Sequence, residues 1–238
     1  VVKEDEIEKM QGHIGIAAVS ADGTIMPFVS GGLAMGLSGF IPDPQGLCSK
    51  LSREREKEGI AQILEEKKIL GTLVGVNNGS MFAYRGPHGL RPLLKGNLGF
   101  DLALISSELA AMDTVGSDFF SDVEPGELCY FDRYGFEKER IKKEKPVHCV
   151  FEYIYLSRPD NIWNGVHVEE VRYRIGQEMA QDVDTDNSVV IAVPETARPF
   201  ANGFSDEAEI PQRLGFEAVG KRLRTAIIPN QFERMKIG

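Results

Sequence analysis

The sequence has 238 residues, 42% of them hydrophobic and 26% charged, and carries a net charge of −9. A chain of this size can bury a hydrophobic core without disulfides or structural metals. Its net negative charge, with the cations interleaved among acidic residues, argues against a surface that binds nucleic acid. Three cysteines without a CxxC pair predict a cytoplasmic protein. No apolar run approaches the roughly 20 residues of a bilayer span, so we expect no membrane contact and no secretory leader.

Short apolar runs alternate with turn signals over the first 70 residues. We predict a buried strand from IGIAAVS (residues 14–20), which ends at a turn over residues 21–23. The glycine-rich run MPFVSGGLAMGL (26–37) predicts a helix against a sheet, and the two prolines of residues 40–46 predict a loop. Apolar residues at helical spacing among charges then predict an amphipathic helix over residues 50–70.

Hairpin signals dominate the next stretch. Asn78 and Gly79 stand between the apolar runs 73–76 and 81–84, and because both tolerate positive φ they predict a hairpin turn. Further patterns predict strands at 93–96 and 101–108, a short helix at 107–116, a turn at 122–126 and a hairpin at 127–141. The chain up to residue 146 is therefore predicted to form an antiparallel sheet with few helices, an α+β arrangement.

A charged, proline-terminated segment at residues 142–146 predicts a domain boundary. Beyond it, VFEYIYLSRPDN (150–161) predicts a strand and a turn, and VEEVRYRIGQEMAQDV (168–183) predicts a helix. The nearly continuous apolar run SVVIAVPE (188–195) is typical of a central parallel strand. We therefore predict two domains, 1–146 and 147–238, the second of α/β type.

Several segments resemble a known family. RGPHGLRPL (85–93), ISSELAAMDTVG (105–116) and DVEPGEL (122–128) resemble successive segments of the glutaminase half of the amidophosphoribosyltransferase family, which opens purine synthesis. The segment 148–180, with FEYIYLSRPD, resembles the family's domain connection, and VVIAVPETARP (189–199) resembles the start of its phosphoribosyltransferase half. The resemblance implies a reduced N-terminal-nucleophile-type (class II) glutamine amidotransferase domain over 1–146, followed by a partial phosphoribosyltransferase-like parallel sheet over 147–238.

The resemblance also shows where glutaminase chemistry should lie. The family uses an N-terminal cysteine, whose thiolate attacks the amide and whose own amine is the base, directly before a glycine in a CGIxGI-like start. Gln11 holds that place here, ten residues precede it, and the interval that carries the family's glutamine pocket is short. Cys48 has no matching motif. We therefore expect no catalytic residues and no glutaminase activity. The corner at 85–93 is interpreted as a bend braced by Arg85 and Arg91.

A pyrophosphate loop is the remaining candidate site, made of Glu195, Thr196, Ala197 and Arg198. Loop N–H groups at the end of an apolar strand can hold pyrophosphate, and Thr196 and Arg198 could add contacts, whereas Glu195 repels phosphate. The alternative is a strand-to-helix turn with Thr196 as N-cap. The family's closing loop is altered at residues 216–224, and its ribose-phosphate loop is not in this sequence, so we expect an incomplete site with weak affinity.

Neither a cofactor nor a metal is expected. Some family members use a cysteine at the place of Cys149 to bind an iron–sulfur cluster, but a cluster needs three partners that this sequence lacks. His148 and His167 have no ligand spacing. Partners are predicted to be a weak phosphoribosyl or pyrophosphate ligand, and a second copy or another protein that covers open sheet edges. Two alternatives remain open: an active amidophosphoribosyltransferase completed by a partner chain, and a remnant that binds only phosphoribosyl compounds or nucleotides.

Overall fold

The computed structural model describes residues 9, 11–20, 23–77, 79–117, 119–218 and 230–237. The strands in chain order are β1 (Phe28–Ser30), β2 (Leu33–Phe40), β3 (Leu70–Asn77), β4 (Ser80–Arg85), β5 (Leu94–Leu98), β6 (Leu102–Ser106), β7 (Phe119–Asp122), β8 (Glu127–Asp132), β9 (Gly135–Arg140), β10 (Ile162–Trp163) and β11 (Val166–His167). The helices are α1 (Pro44–Leu51), α2 (Lys57–Glu66), α3 (Leu109–Val115), α4 (Val168–Ala180), α5 (Arg198–Ala208) and α6 (Gln231–Ile237).

Two compact units divide these residues. The first draws on residues 1–91 and 123–147, and the second on residues 92–122 and 148–238. The boundary predicted at residue 146 lies next to residue 147, after which the chain passes from the first unit to the second. The predicted two-domain division differs from this grouping over residues 92–122, because β5 pairs with β6 and β7 rather than with the strands of the first unit.

The first unit contains a six-stranded antiparallel sheet in the order β1-β2-β3-β4-β8-β9. The predicted hairpin between residues 73–76 and 81–84 is confirmed as β3–β4, although Asn78 of its turn lies outside the described residues: Asn77 pairs with Ser80, and the Asn77 side chain accepts hydrogen bonds from the Ser80 N–H at 3.2 Å and hydroxyl at 2.7 Å. The β8–β9 hairpin is confirmed as well. One face of the sheet packs against α1 and α2, through buried residues that include Leu33, Met35, Leu47, Leu51, Ile60, Leu64, Leu73, Phe82 and Leu128.

Two predictions near the start of the chain are wrong. Residues 26–37 form the β1–β2 hairpin rather than a helix, because Gly31 and Gly32 take φ values of 52° and 85° and close a tight turn. The run 14–20 forms no strand and is largely exposed, with Val19 95% exposed. The small apolar residues of this run have the composition of a buried strand, but composition alone does not supply a partner. Among the described residues, no strand pairs with it.

The predicted helix over residues 50–70 is interrupted: the span contains the last two residues of α1 and the whole of α2, which are separated by residues 52–56. The first of them begins inside the predicted loop at 40–46. Pro44 occupies its first turn, where the missing N–H costs nothing, and the Asp43 carboxylate accepts a hydrogen bond from the Gly46 N–H at 2.9 Å. The two prolines therefore start a helix there instead of excluding one.

The second unit contains a three-stranded antiparallel sheet in the order β6-β5-β7, with α3 packed on it through Leu94, Leu109 and Met112. The predicted strand in residues 150–161 is wrong: residues Glu152–Leu156 form a π-helical turn. Arg172, 1% exposed, explains this turn, since it donates hydrogen bonds to the carbonyls of Tyr153 at 2.6 Å and Ser157 at 2.8 Å. A side chain on α4 thus fixes a conformation that the aromatic pattern alone does not predict.

The predicted helix over 168–183 is confirmed as α4, which crosses α5 at very close range. Gly176 on α4 and Gly203 on α5 are both buried where the backbones meet. A methyl group placed at Gly176 would lie 2.0 Å from the Phe200 carbonyl oxygen, and one at Gly203 would lie 1.9 Å from that of Tyr173. Only glycine fits at this crossing.

The central parallel strand predicted at 188–195 does not form. Its one parallel link among the described residues is a bridge between Val190 and Gln212, with hydrogen bonds from the Val190 N–H to the Pro211 carbonyl at 3.0 Å and from the Arg213 N–H to the Val190 carbonyl at 2.9 Å. A central strand needs neighbours on both edges and both faces, whereas Val189, Ile191 and Val193 are 44–61% exposed. Over the residues that the structure describes, the predicted parallel sheet is thus reduced to this bridge.

Candidate functional site

The corner at residues 85–93 is organised by one buried guanidinium. Arg85 is fully buried and donates to three backbone carbonyls, those of Arg91 at 3.1 Å, Val123 at 2.8 Å and Gly89 at 3.1 Å. Arg91 in turn donates to the Ser38 hydroxyl at 3.1 Å. Since the arginines are committed to protein groups, the corner is a braced bend, as interpreted from the sequence.

The resemblance puts Gln11 at the place of the family's nucleophile, and an amide side chain cannot act as one. Gln11 is exposed, and residues 11–20 form no helix or strand. Further along this segment, the side chains of Ile16 and Ala18 lie next to Gly36 of β2. The segment therefore contacts the sheet without pairing with it as a strand.

The three thiols differ in burial, which bears on whether any of them could act as a substitute nucleophile. Cys48 is fully buried, lies 3.5 Å from the Phe28 carbonyl, and burial raises the pKa of its thiol. Cys129 is also fully buried, with its sulfur 3.2 Å from a carboxylate oxygen of Glu127. Cys149 is half-buried. A thiol nucleophile needs access and a lowered pKa, so neither Cys48 nor Cys129 has the setting of one.

The candidate pyrophosphate loop is a half-buried turn that leads into α5. Pro194 and Glu195 are joined by a cis peptide bond. The Arg198 N–H donates to the Glu195 carbonyl at 3.3 Å, and the two side chains form an exposed ion pair at 3.7 Å. The N–H groups of Thr196 and Ala197 belong to this turn, directly before the first residue of α5.

The alternative that Thr196 caps the helix is wrong, because the N-cap of α5 is Ala197 and no side chain bonds there. The structure therefore brings Glu195 and Arg198 together. The Glu195 carboxylate offsets the Arg198 charge, which lowers the attraction for phosphate.

Next to the loop lies an apolar groove that the sequence analysis missed. A cavity of about 400 Å³ is bounded by the run 188–193, by Ala197, Phe200 and Phe204 of α5, and by Met179 and Val183. The available signal was a second apolar stripe on α4, formed by Val171, Ile175 and Met179, beside the face that buries Gly176 and Ala180.

The described residues include no group of three or more histidine, cysteine or acidic side chains placed to hold a metal ion. His148 lies 3.1 Å from the Asn164 amide and packs edge-on against Trp163, which is stacked on Tyr153. Cys149 is next to this aromatic cluster in sequence. Among the helices that the structure describes, none has the length and apolar character to cross a bilayer.

No family model matches the chain. Curated relatives do. The amidophosphoribosyltransferase of Mycobacterium tuberculosis strain H37Rv is 38% identical over 159 residues, covering 67% of this chain and 30% of the relative. That of Pyrococcus horikoshii is 37% identical over 175 residues, covering 74% and 38%. That of Methanocaldococcus jannaschii is 29% identical over 286 aligned positions, covering 98% and 60%. The chain thus spans 30–60% of the length of these relatives.

Solved structures give the same result. Glutamine phosphoribosylpyrophosphate amidotransferase from B. subtilis, determined with ADP and GMP, matches with a TM-score of 0.72 at 29% identity, covering 86% of this chain and 50% of that one. A structure described as the allosteric regulatory enzyme of purine biosynthesis also matches with a TM-score of 0.72, at 28% identity. Sequence relatives and structural relatives agree on one family, which the motifs at 85–93 and 148–199 had indicated, and the chain belongs to the amidophosphoribosyltransferase family.

Proposed function

We propose that this chain is a non-catalytic member of its family, which releases no ammonia from glutamine and holds only the pyrophosphate end of a phosphorylated sugar, weakly. The observation that carries the proposal is Gln11, which stands where the family's motif has its nucleophile. A carboxamide can neither attack a substrate amide nor form the acyl intermediate of that reaction.

Two further observations support the loss of glutaminase chemistry. Cys48 and Cys129 are fully buried and cannot serve in place of the missing thiol. The alignment with the Methanocaldococcus jannaschii relative runs over 286 positions, more than the 238 residues of this chain, so segments of that relative face gaps here. The short interval between β2 and α2, where the resemblance puts the glutamine pocket, is a natural place for such gaps.

The proposal assigns the antiparallel sheets to a reduced glutaminase half and α4, residues 188–193 and α5 to the beginning of the phosphoribosyltransferase half. In this assignment residues 195–198 are what remains of the pyrophosphate loop. The N–H groups of Thr196 and Ala197, in the turn that leads into α5, support anion binding there, and the Glu195–Arg198 pair limits its strength.

We expect the purified chain to release no ammonia from glutamine above the rate of a buffer blank. The measurement is a coupled ammonia assay at saturating glutamine. The control is a family member with the cysteine-glycine start, assayed side by side. Turnover that disappears when Cys48, Cys129 or Cys149 is changed to alanine would contradict the proposal, because it would place a working nucleophile on one of them.

We expect pyrophosphate and phosphoribosyl pyrophosphate to bind at residues 195–198 with a Kd of roughly 1 mM, equivalent to about −4 kcal/mol. Backbone amide shifts followed during titration should change at Thr196 and Ala197. Glu195→Gln should tighten binding about threefold by removing a repulsive charge, and Arg198→Ala should weaken it. Arg213→Ala, which removes another exposed cation of the same unit, should have no effect. If no amide shifts appear at a ligand concentration about ten times the expected Kd, residues 195–198 form a turn that does not bind these ligands.

A further inference from the structure

The β10–β11 hairpin closes through an Asn-Gly pair. Trp163 pairs with Val166, and the two residues between them, Asn164 and Gly165, have φ values of 50° and 73°. Positive φ at both central residues is what a type I′ turn requires. Because the ladder has only two pairs of residues, we expect this turn to open locally more easily than a turn that closes a longer ladder.

In an Asn-Gly pair, the asparagine side chain can react with the backbone. The Gly165 nitrogen can attack the side-chain carbonyl carbon of Asn164, Cγ, and close a five-membered succinimide ring, since glycine has no side chain in the way. The structure leaves room for this ring, because a methyl group placed at Gly165 would have no described atom within 4 Å beyond its chain neighbours. The two reacting groups belong to adjacent residues, so the reaction is intramolecular and its effective concentration is high.

An imidazole lies next to the group that would leave. The amide nitrogen of Asn164, Nδ2, is 3.1 Å from Nδ1 of His148. This distance is within the roughly 2.6–3.2 Å over which a side chain can transfer a proton to a reacting atom. The His148 ring packs edge-on against Trp163, with 5.7 Å between the ring centroids, and this contact helps to hold the imidazole in place. When the ring is protonated, Nδ1 is a donor.

We propose that Asn164 is a self-modification site, at which Gly165 acts as the nucleophile and His148 as the general acid. The bond between the Gly165 nitrogen and Cγ of Asn164 forms, and the nitrogen loses its proton to water. The bond between Cγ and Nδ2 breaks, and ammonia leaves with the proton that His148 donates. A water molecule then opens the succinimide at either carbonyl and gives aspartate or isoaspartate. The net reaction converts asparagine and water to an acid and ammonia, without oxidation or reduction.

The two products change the hairpin in different ways. Aspartate adds a negative charge beside His148, whereas isoaspartate lengthens the backbone of a two-residue turn and disturbs the pairing of Trp163 with Val166. Neither product returns to asparagine, so the modified fraction of the chain rises with its age. The ammonia released is at most stoichiometric with the chain and does not depend on glutamine, so the reaction is distinct from glutaminase turnover.

The same dipeptide inside α5 serves as an internal control. Asn202 and Gly203 lie in the middle of this helix, Gly203 is buried, and helical hydrogen bonding holds the backbone N–H that would have to attack. At the Asn-Gly turn of the β3–β4 hairpin, the Gly79 N–H donates to the Asn77 carbonyl at 2.7 Å, and the ladder has six pairs. We therefore expect Asn164 to react before either of these sites.

Incubation of the full chain in heavy-oxygen water at neutral pH, followed by peptide mass spectrometry, tests the proposal. We expect one heavy oxygen atom at residue 164 before any appears at residue 202. His148→Gln, which keeps a polar side chain without a proton to transfer, should slow the conversion about tenfold or more. The matched control is His167→Gln, which alters an exposed histidine of β11 and should leave the rate unchanged.

Added imidazole separates proton transfer from an effect on folding. His148→Ala should regain part of the rate when imidazole is present in solution, whereas a variant that is slow or fast only because its hairpin is disturbed would not respond. A rate in His148→Gln that equals or exceeds that of the parent, an equal loss in His167→Gln, no response of His148→Ala to imidazole, or modification of residue 202 before residue 164 would each overturn the proposal.

Discussion

We expect Arg85→Met to lower the free energy of unfolding of the first unit by at least about 3 kcal/mol, because it leaves three carbonyls without their donor, two of them in buried hydrogen bonds. Those carbonyls belong to Arg91, Val123 and Gly89, and the guanidinium that binds them is fully buried. Methionine fills much of the same volume, so the loss measures hydrogen bonding rather than a cavity. Urea denaturation followed by far-ultraviolet circular dichroism measures the change.

Arg85→Lys separates charge from geometry. A lysine keeps the positive charge but cannot direct donors at three divergent carbonyls, so we expect it to lose nearly as much stability as methionine. Arg140→Met is the control, since Arg140 is an exposed strand residue paired with Glu124 at 3.3 Å and should contribute less than about 1 kcal/mol. A methionine variant within that margin of the parent would show that the corner does not depend on Arg85.

Gly176→Ala is expected to destabilise the second unit by about 2–3 kcal/mol or more, because its methyl group would meet the Phe200 carbonyl at 2.0 Å. The helices must separate to admit it, which costs packing along the whole α4–α5 contact. Gly203→Ala should behave alike. The single tryptophan of the chain, Trp163, is fully buried in this unit, so its fluorescence reports the unfolding transition there.

The double variant supplies an internal check. Once one methyl group has separated the helices, the second meets less resistance, so the two losses should add to less than their sum. Gly15→Ala is the control, since nothing lies within 4 Å of a methyl group at that position. If the two losses of unfolding free energy add fully, or if the unfolding midpoints measured by fluorescence equal that of the parent, the α4 and α5 backbones do not pack as closely as the structure shows.

The β3–β4 and β8–β9 hairpins could be predicted because their signals are local. Asn78 and Gly79 stand between two apolar runs, and both the turn and its register follow from those few residues. The same holds for α4, whose buried face recurs at helical spacing. Where one element depends on a distant side chain, sequence patterns fail: the aromatic run after residue 150 is helical because Arg172 binds its carbonyls.

The candidate loop shows the same limit. Residues 195–198 were found from a resemblance, and their turn leads into a helix as expected. The ion pair between Glu195 and Arg198 and the shift of the cap from Thr196 to Ala197 depend on side-chain and backbone geometry that composition does not encode. The apolar run before the loop has the pattern of a central strand, which needs a paired strand on each edge. The described residues supply only one pairing, the bridge between Val190 and Gln212, so the strand does not form.

The corner around Arg85 has a topological consequence. The chain leaves the first unit after residue 91, returns at residue 123 and leaves again after residue 147. Arg85 binds the carbonyls of Arg91 and Val123, and the Val147 N–H donates to the His88 carbonyl at 2.7 Å, so all three crossing points are fastened to one short segment. With respect to the first unit, residues 92–122 are therefore a long insertion whose two ends are held together by these hydrogen bonds. Doubling the length of such a closed segment raises the entropic cost of loop closure by only about 0.6 kcal/mol. Insertions, deletions or a grafted domain between residues 92 and 122 should accordingly leave the first unit able to fold.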